Sequence, residues 1–155
     1  AKSSRNVYEA YAFALANKST YKIDQTRIGI AGWSAGGMIS QAMLHTSYSP
    51  EPIGVRAVLG ASNILPAGLM GLPPFTGFRS FSTGFNPKSV FASYDDDLGF
   101  AGGPNDHAAD CAYLDSIGND CQTVTYAGSG HELWFHLDPL KDDTIEFFAS
   151  NVAVY

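Results

Sequence analysis

The most constraining feature of this sequence is a corner at which a short apolar segment turns directly into a helix. Residues 27–31 (RIGIA) are followed by the glycine-rich segment 32–37 (GWSAGG), and a helical pattern then continues. The apolar run is typical of a strand buried on both faces of a parallel sheet. A strand that turns sharply into a helix needs small residues at the corner, so Gly32 is expected to let the backbone turn and Gly36 to let helix and strand approach closely. Ser34 is then predicted to stand exposed at a helix N-terminus.

The remainder of the chain alternates predicted strands with predicted helices. The predicted strands are 27–31, 55–59, 89–94 and 121–127, and the predicted helices are 4–18, a second helix that ends before Pro50, 106–117 and 141–152. This alternation predicts one α/β domain over residues 1–155, with helices flanking a parallel sheet. Ligands of such sheets bind beyond the carboxyl ends of the strands.

A histidine is expected at the same edge of the sheet as Ser34. A serine hydroxyl is a poor nucleophile at neutral pH and needs a base within reach. His131 follows the fourth predicted strand in a Gly-x-Gly-His loop, which makes it the best candidate. The other histidines have simpler interpretations: His45 at the surface or against a helix dipole, His107 near a helix start as a cap, and His136 in packing.

An acid must hold such a base in one tautomer. The third predicted strand runs into three consecutive aspartates at 95–97. Asp97 fits best because the residue required lies on the loop just past the strand, while Asp96, Asp95 and Asp106 remain alternatives. A solvated acidic turn is the structural alternative for the triplet, and a helix N-cap is the alternative for Ser34.

Three segments resemble the α/β-hydrolase esterases. Residues 23–37 (IDQTRIGIAGWSAGG) look like the family's nucleophile elbow, I-D-x-x-R-I-x-I-x-G-x-S-A-G-G; residues 93–97 (SYDDD) resemble its H-G-x-x-D acid turn; and residues 130–132 (GHE) resemble its histidine turn. The resemblance covers nearly the whole chain. The carboxylesterase, feruloyl/acetylxylan esterase and dienelactone-hydrolase-like branches are the most similar, and prolyl-oligopeptidase-type peptidases share the elbow. It implies a triad of Ser34, His131 and Asp97, with the Ala35 N–H in an oxyanion hole.

The resemblance also implies that the first half of the family's fold is missing from this sequence. The family fold has eight strands, and the elbow follows the fifth. Only 26 residues precede Arg27, enough for one helix, so the first four strands are absent from this sequence. We expect the C-terminal part of an α/β-hydrolase fold, with strands equivalent to the fifth to eighth. An N-terminal fragment or a second chain would complete the sheet and supply the second oxyanion N–H. The alternative is a shortened sheet whose edge is covered by the first helix or by another copy.

Residues 61–87 form a long connection rich in Pro, Gly and Phe, which is typical of a lid or a substrate-binding loop. Aromatic residues of this loop, and others next to Ser34 and His131, are predicted to border an apolar acyl or aryl pocket. They are Phe75, Phe78, Phe81, Trp33 and Trp134. The alternative for the loop is ordinary hydrophobic cover for the sheet.

Charge and hydropathy exclude several classes of protein. The net charge is −6, with 15 acidic against 9 basic residues and no run of Lys or Arg, which disfavours a nucleic-acid partner. Hydrophobic residues make up 45% of the chain and charged residues 15%, which argues against disorder. No apolar stretch reaches the roughly 18–20 residues of a membrane span.

The two cysteines, Cys111 and Cys121, lie ten positions apart across a Gly118-Asn119 turn. This spacing permits a disulfide, and two free buried thiols are the alternative. A disulfide predicts a secreted or periplasmic protein. The cysteines show no zinc-ligand spacing, and we expect neither a metal nor a cofactor.

Together these features predict a serine-dependent carboxylic ester hydrolase that works through an acyl-enzyme on a small-molecule or polysaccharide-linked ester. Two alternatives remain. The low charge, the many aromatic residues and the missing half-fold suit a non-catalytic α/β-hydrolase-like binding or structural module. The shared elbow also suits a serine peptidase of prolyl-oligopeptidase type.

Overall fold

The structure is a computed structural model that describes residues 2–46, 50–62, 87–97, 104–131 and 137–152. The elements in chain order are α1 (Lys2–Ala16), α2 (Lys18–Tyr21), β1 (Ile28–Trp33), α3 (Ala35–His45), β2 (Val55–Ala61), β3 (Lys88–Asp96), α4 (Pro104–Ser116), β4 (Cys121–Ser129) and α5 (Leu137–Val152). Every predicted strand and helix is present, and most are longer than predicted. The first predicted helix is divided in two at Asn17. Most of the predicted lid, residues 63–86, lies outside the described residues.

The four described strands form one parallel sheet in the order β1-β2-β3-β4. Parallel neighbours need a crossover between them, which α3 provides between β1 and β2, and α4 between β3 and β4. The parallel α/β sheet predicted from the sequence is therefore confirmed. All four carboxyl ends lie along one edge, which brings the segments after β1, β3 and β4 together.

Helices cover both faces of the sheet. On one face, Leu44 of α3 packs with Val58 of β2, and α1 packs outside α3. On the other face, Phe147 of α5 packs with Leu59 and its neighbours. Since successive residues of a strand point to opposite faces, the apolar run of β2 serves both layers. Burial on both faces explains why this strand shows no alternation of polar and apolar residues.

β1 lies at the edge of the described sheet and departs from the prediction. Its exposure alternates, with Gly29 and Ala31 exposed, so the expectation of a strand buried on both faces is wrong for the described residues. The reason is that β1 has β2 as its single described neighbour. Its apolar sequence nevertheless suits a strand with neighbours on both sides.

Cys111 of α4 and Cys121 at the start of β4 are joined as a disulfide. The bond ties the helix to the strand that follows it, next to the buried side chains of Phe91 and Leu114. No helix among the described ranges is both long and apolar enough to cross a bilayer.

Candidate active site

The corner after β1 holds Ser34 in an unusual backbone conformation. Ser34 has φ 51° and ψ −123° and occupies the N-cap position of α3. A positive φ is costly for a residue with a side chain and persists where the surrounding structure enforces it. The Ser34 side chain makes no capping hydrogen bond to the helix. The N-cap interpretation of this serine is therefore wrong, because its hydroxyl is directed elsewhere.

Gly32 is the residue that permits the tight corner. A Cβ at this position would lie 2.4 Å from the backbone carbonyl atoms of Gly36, where helix and strand meet. A Cβ on Gly36 would meet no atom of the described residues within 4 Å. The close approach expected of Gly36 is therefore made at Gly32, which lies against the Gly36 backbone. The expectation that Gly36 itself must lack a side chain for this reason is wrong.

The hydroxyl of Ser34 meets the ring of His131. Ser34 Oγ lies 2.8 Å from His131 Nε2, and His131 Nδ1 lies 3.2 Å from Asp97 Oδ1. When Asp97 is ionised it can only accept, so Nδ1 carries the proton. His131 Nε2 is then free to accept a hydrogen bond from the Ser34 hydroxyl. The three residues predicted from the sequence thus form one continuous chain of hydrogen bonds.

Asp97 is a buried carboxylate at the end of that chain. Its side chain is 0% exposed, whereas that of His131 is 32% exposed. Asp97 Oδ2 has no hydrogen-bond partner among the described atoms. A buried charge is costly unless it is paired, and the imidazole of His131 is the described partner of Asp97.

The three aspartates contact three different groups between the end of β4 and His131. Asp95 Oδ1 accepts a hydrogen bond from the Gly128 N–H at 3.1 Å, and Asp96 Oδ1 accepts one from the Gly130 N–H at 3.2 Å. Asp95 and Asp96 are the last residues of β3, whereas Asp97 lies just beyond the strand. Of the triplet, Asp97 is therefore the residue on His131, and the other two hold the backbone of its loop.

Ala35, the first residue of α3, is exposed beside Ser34. The first N–H groups of a helix have no partner within the helix, and the helix dipole makes them favourable for negative charge. The Ala35 N–H is thus able to donate to an anionic oxygen formed near Ser34. No group of three or more metal-binding side chains occurs in the part of the chain that the structure describes.

Two histidines differ from their sequence interpretation. His45 is the last residue of α3, as the helix-dipole interpretation requires, but it is fully buried rather than at the surface, with Nε2 2.7 Å from Ser89 Oγ and Nδ1 3.4 Å from Asn119 Nδ2. His107 is also fully buried, and its ring packs against Phe91. Tertiary burial of the helix ends, which sequence position does not reveal, accounts for both differences.

Trp33, predicted to border the substrate pocket, contacts His131. Its indole Nε1–H donates to the His131 main-chain carbonyl at 2.9 Å, and the two ring centroids lie 5.5 Å apart. The other predicted pocket residues lie outside the described residues; they are Phe75, Phe78, Phe81 and Trp134. Sequence reasoning missed the backbone contacts of Trp33, Asp95 and Asp96, although consecutive acids after a strand and a glycine loop were visible signals.

Comparisons with known proteins identify the fold. No protein-family model and no curated protein matches the chain. Solved structures do match. A truncated carbohydrate esterase from gut microbiota superposes with a TM-score of 0.67 at 15% identity, over 91% of this chain and 65% of that one. An alpha/beta hydrolase enzyme from a deep-sea metagenome library gives 0.66 at 12% identity, over 91% and 61%. The Bacillus cereus carboxylesterase gives 0.63 at 16% identity, over 92% and 58%.

The described residues therefore form part of an α/β-hydrolase fold, as the sequence resemblance implied. The chain spans about three fifths of the length of these structures. Its four parallel strands agree with the C-terminal portion of that fold expected from the sequence.

Proposed function

We propose that this chain carries the catalytic triad of a serine-dependent carboxylic ester hydrolase. The observation that carries the proposal is the contact of Ser34 Oγ with His131 Nε2 at 2.8 Å, made by a serine that lies at a helix N-cap yet does not cap it. The Ser34 hydroxyl lies at a strained corner and faces His131 Nε2. The other ring nitrogen, Nδ1, faces the buried carboxylate of Asp97. This arrangement suits nucleophilic attack by the serine.

The reaction follows from these positions. Ser34 Oγ attacks the ester carbonyl carbon while His131 Nε2 takes the hydroxyl proton, and the resulting imidazolium is stabilised by Asp97. The carbonyl oxygen becomes an oxyanion that accepts from the Ala35 N–H. Collapse of this intermediate expels the alcohol, which takes the proton from His131, and leaves the acyl group on Ser34. Water then attacks the acyl-enzyme by the same steps, which releases the acid and restores the serine hydroxyl.

Esters are the substrate class we favour. Carboxylesterase and carbohydrate esterase structures share this fold, which supports a small-molecule or polysaccharide-linked ester for this chain. The predicted lid 61–87 and its aromatic residues Phe75, Phe78 and Phe81 would border the acyl group, with Trp134 on the side of the histidine loop. The disulfide between α4 and β4 supports a secreted or periplasmic protein.

We further propose that another strand completes the sheet beside β1, contributed by an N-terminal fragment or a second chain. Two observations support it: β1 is an apolar strand with exposed residues at the edge of the described sheet, and the matching structures are longer than this chain. Unpaired apolar edges promote aggregation, so natural sheets cover them. The added segment would also bring the second oxyanion N–H. A soluble, fully active 16.5 kDa monomer in native material would contradict this completion.

The triad is tested by labelling and turnover. A fluorophosphonate probe should modify the intact protein, and p-nitrophenyl acetate should be hydrolysed; Ser34→Ala should abolish both. Ser116→Ala is the matched control because that hydroxyl bonds to the Tyr113 carbonyl on the exposed surface of α4. Both activities should be unchanged in the control. Persistence of turnover in Ser34→Ala would refute the triad, and absence of labelling in the wild type would favour a non-catalytic binding module. Short amide substrates hydrolysed faster than esters would instead indicate a peptidase.

A further inference from the structure

Trp33 links the two halves of the proposed catalytic pair. It is the last residue of β1 and the immediate neighbour of Ser34. Its side chain is half-buried against the apolar cluster that includes Phe147. It reaches the segment just after β4, which carries His131. There the indole Nε1–H donates to the carbonyl oxygen of His131 at 2.9 Å. One residue thus adjoins the nucleophile through the backbone and the base through a hydrogen bond.

The loop that carries His131 needs such an anchor. Gly128 and Gly130 precede the histidine, and both adopt positive φ values that residues with side chains seldom adopt. Glycine backbone has more freedom than any other, so a loop of this kind holds one conformation only if contacts outside it fix it. The position of the imidazole therefore depends on what binds the loop backbone.

Residues of two other strands bind this backbone. From β3, Asp96 accepts from the Gly130 N–H at 3.2 Å. From β1, Trp33 donates to the next residue's carbonyl, that of His131. The tilted packing of the indole and imidazole rings, with centroids 5.5 Å apart, adds a contact with the side chain itself. The loop is thus fixed through a donor and an acceptor on adjacent residues.

We propose that Trp33 is a positioning residue for His131, and that its indole N–H, rather than a contact with substrate, is what the site requires at this position. The inference rests on the proposed hydrolase. The contact between Ser34 Oγ and His131 Nε2 joins residues that lie 97 positions apart in the sequence. The hydrogen bond from Trp33 to His131 restrains this contact across the carboxyl edge of the sheet. Displacements of about 1 Å in such pairs can reduce the rate by up to about 100-fold.

A positioning role and a substrate-binding role predict different kinetics. Loss of an anchor for the base should lower kcat with little change in KM, because substrate binding is untouched. Loss of a wall of the substrate pocket should raise KM with kcat retained. The two roles also differ without substrate, since only the positioning role predicts a looser loop in the resting protein.

The decisive variants remove the N–H with minimal change of shape. Trp33→Phe keeps an aromatic ring, and replacement of Trp33 by β-(3-benzothienyl)alanine keeps the full bicyclic shape, which guards against a failure of Trp33→Phe to pack. We expect kcat for p-nitrophenyl acetate to fall by about 10- to 100-fold in both, with KM within about twofold. Amide exchange at Gly130 should accelerate by about tenfold, while the α3 core amides stay protected.

The control is Tyr21→Phe, which alters an exposed aromatic residue on α2 and should leave kcat and Gly130 exchange unchanged. A raised KM with unchanged kcat, or unchanged Gly130 exchange in both Trp33 variants, would overturn the inference. If the wild type lacks Ser34-dependent labelling, the proposed hydrolase fails. The exchange experiment then still decides whether Trp33 fixes the loop.

Discussion

The described part of the chain contains two serine–histidine pairs at different places in the fold, and they have the same contact pattern. At the carboxyl edge, His131 lies between Ser34 at Nε2 and Asp97 at Nδ1. Near the amino end of β3, His45 lies between Ser89 at Nε2 and Asn119 at Nδ1. Each Ser Oγ is within 2.8 Å of its histidine. A search for serine–histidine contacts alone would select both.

The third residue separates the two pairs electronically. Asn119 presents an amide N–H to Nδ1 of His45, so that nitrogen accepts and the ring proton sits on Nε2, pointing at Ser89. Asp97 presents a carboxylate oxygen, so Nδ1 of His131 carries the proton and Nε2 offers its lone pair to Ser34. In the proposed hydrolase, only the second arrangement would let the ring act as a base toward the hydroxyl.

Access separates them as well. His45 and Ser89 are fully buried, with no room for a substrate or for charge to develop, whereas His131 is one-third exposed and Ser34 adjoins the exposed first turn of α3. The lesson is that a contact distance does not define a catalytic pair. A catalytic pair also needs the right imidazole tautomer, a buried counter-charge and an open helix N-terminus.

The largest expected effect follows from removal of the accessible histidine. His131→Ala should lower kcat by about 10⁶-fold, because the serine loses its base. The melting temperature should fall as well, because the substitution removes the described partner of the buried Asp97 carboxylate, although the loop backbone keeps its contacts to Asp96 and Trp33. Esterase kinetics and calorimetry on the same samples measure both. Turnover that survives in His131→Ala would remove the distinction between the two pairs.

Asp97→Asn should make the accessible site resemble the buried one. An amide at this position can present an N–H to His131 Nδ1, which moves the ring proton to Nε2 and removes the base from Ser34. We expect kcat to fall by about 10⁴-fold. Nitrogen-15 NMR of the imidazole should show the change of tautomer. Asp96→Asn, which alters the neighbouring acid, should leave the His131 tautomer as in the wild type.

The disulfide should support the buried pair and not the accessible one. Cys121 follows the turn that contains Asn119, so the bond closes the segment that holds the amide against His45. A Cys111→Ser, Cys121→Ser double variant should lose about 2–4 kcal/mol of unfolding free energy in denaturant titrations. The kcat of the folded enzyme should remain at the wild-type level. A large loss of kcat in fully folded samples would contradict the separation.

Ser89→Ala is the structural counterpart of Ser34→Ala. Removal of the hydroxyl takes the Ser89 hydrogen bond away from the buried His45 Nε2, which should cost about 1–3 kcal/mol of unfolding free energy. Ser34-dependent labelling should be unaffected. If Ser89→Ala also abolished labelling, the buried pair would be part of the reaction and the comparison would fail.

The smallest effect concerns an exposed carboxylate, in contrast to buried Asp97. Hydrogen bonds from the Thr26 side chain and backbone, with the Arg27 guanidinium, lower the pKa of Asp24 to about 2 from its usual 3.8. Its stabilisation is therefore present above pH 3.8 and is lost as the pH falls through about 2. Asp24→Asn should lose less stability between pH 4 and pH 2 than the wild type does, as unfolding titrations at each pH can measure. Parallel curves would contradict the assignment.

Much of the site could be predicted because it depends on local pattern. Ser34 was identified by a glycine corner between an apolar strand and a helix, and His131 by a glycine loop after another strand, since both corners need small residues next to one another in sequence. Asp97 was favoured over Asp95 and Asp96 from its place just past the strand, but the backbone contacts of the other two acids could not be predicted in this way. Those contacts depend on an irregularity in the pairing of β3 with β4 between Tyr94 and Asp96, which sets the loop contact that each acid reaches.

The sequence by itself determined the order of strands and helices, the parallel sheet, and the edge at which the reactive side chains would meet, because local periodicity and turn residues govern those features. Only the tertiary structure decided what Asp95 and Asp96 contact, that His45 is buried in a second serine–histidine pair, and that Trp33 binds the backbone of His131. Those outcomes join residues far apart in the chain. These contacts depend on strand register and packing, which no single segment of the sequence determines.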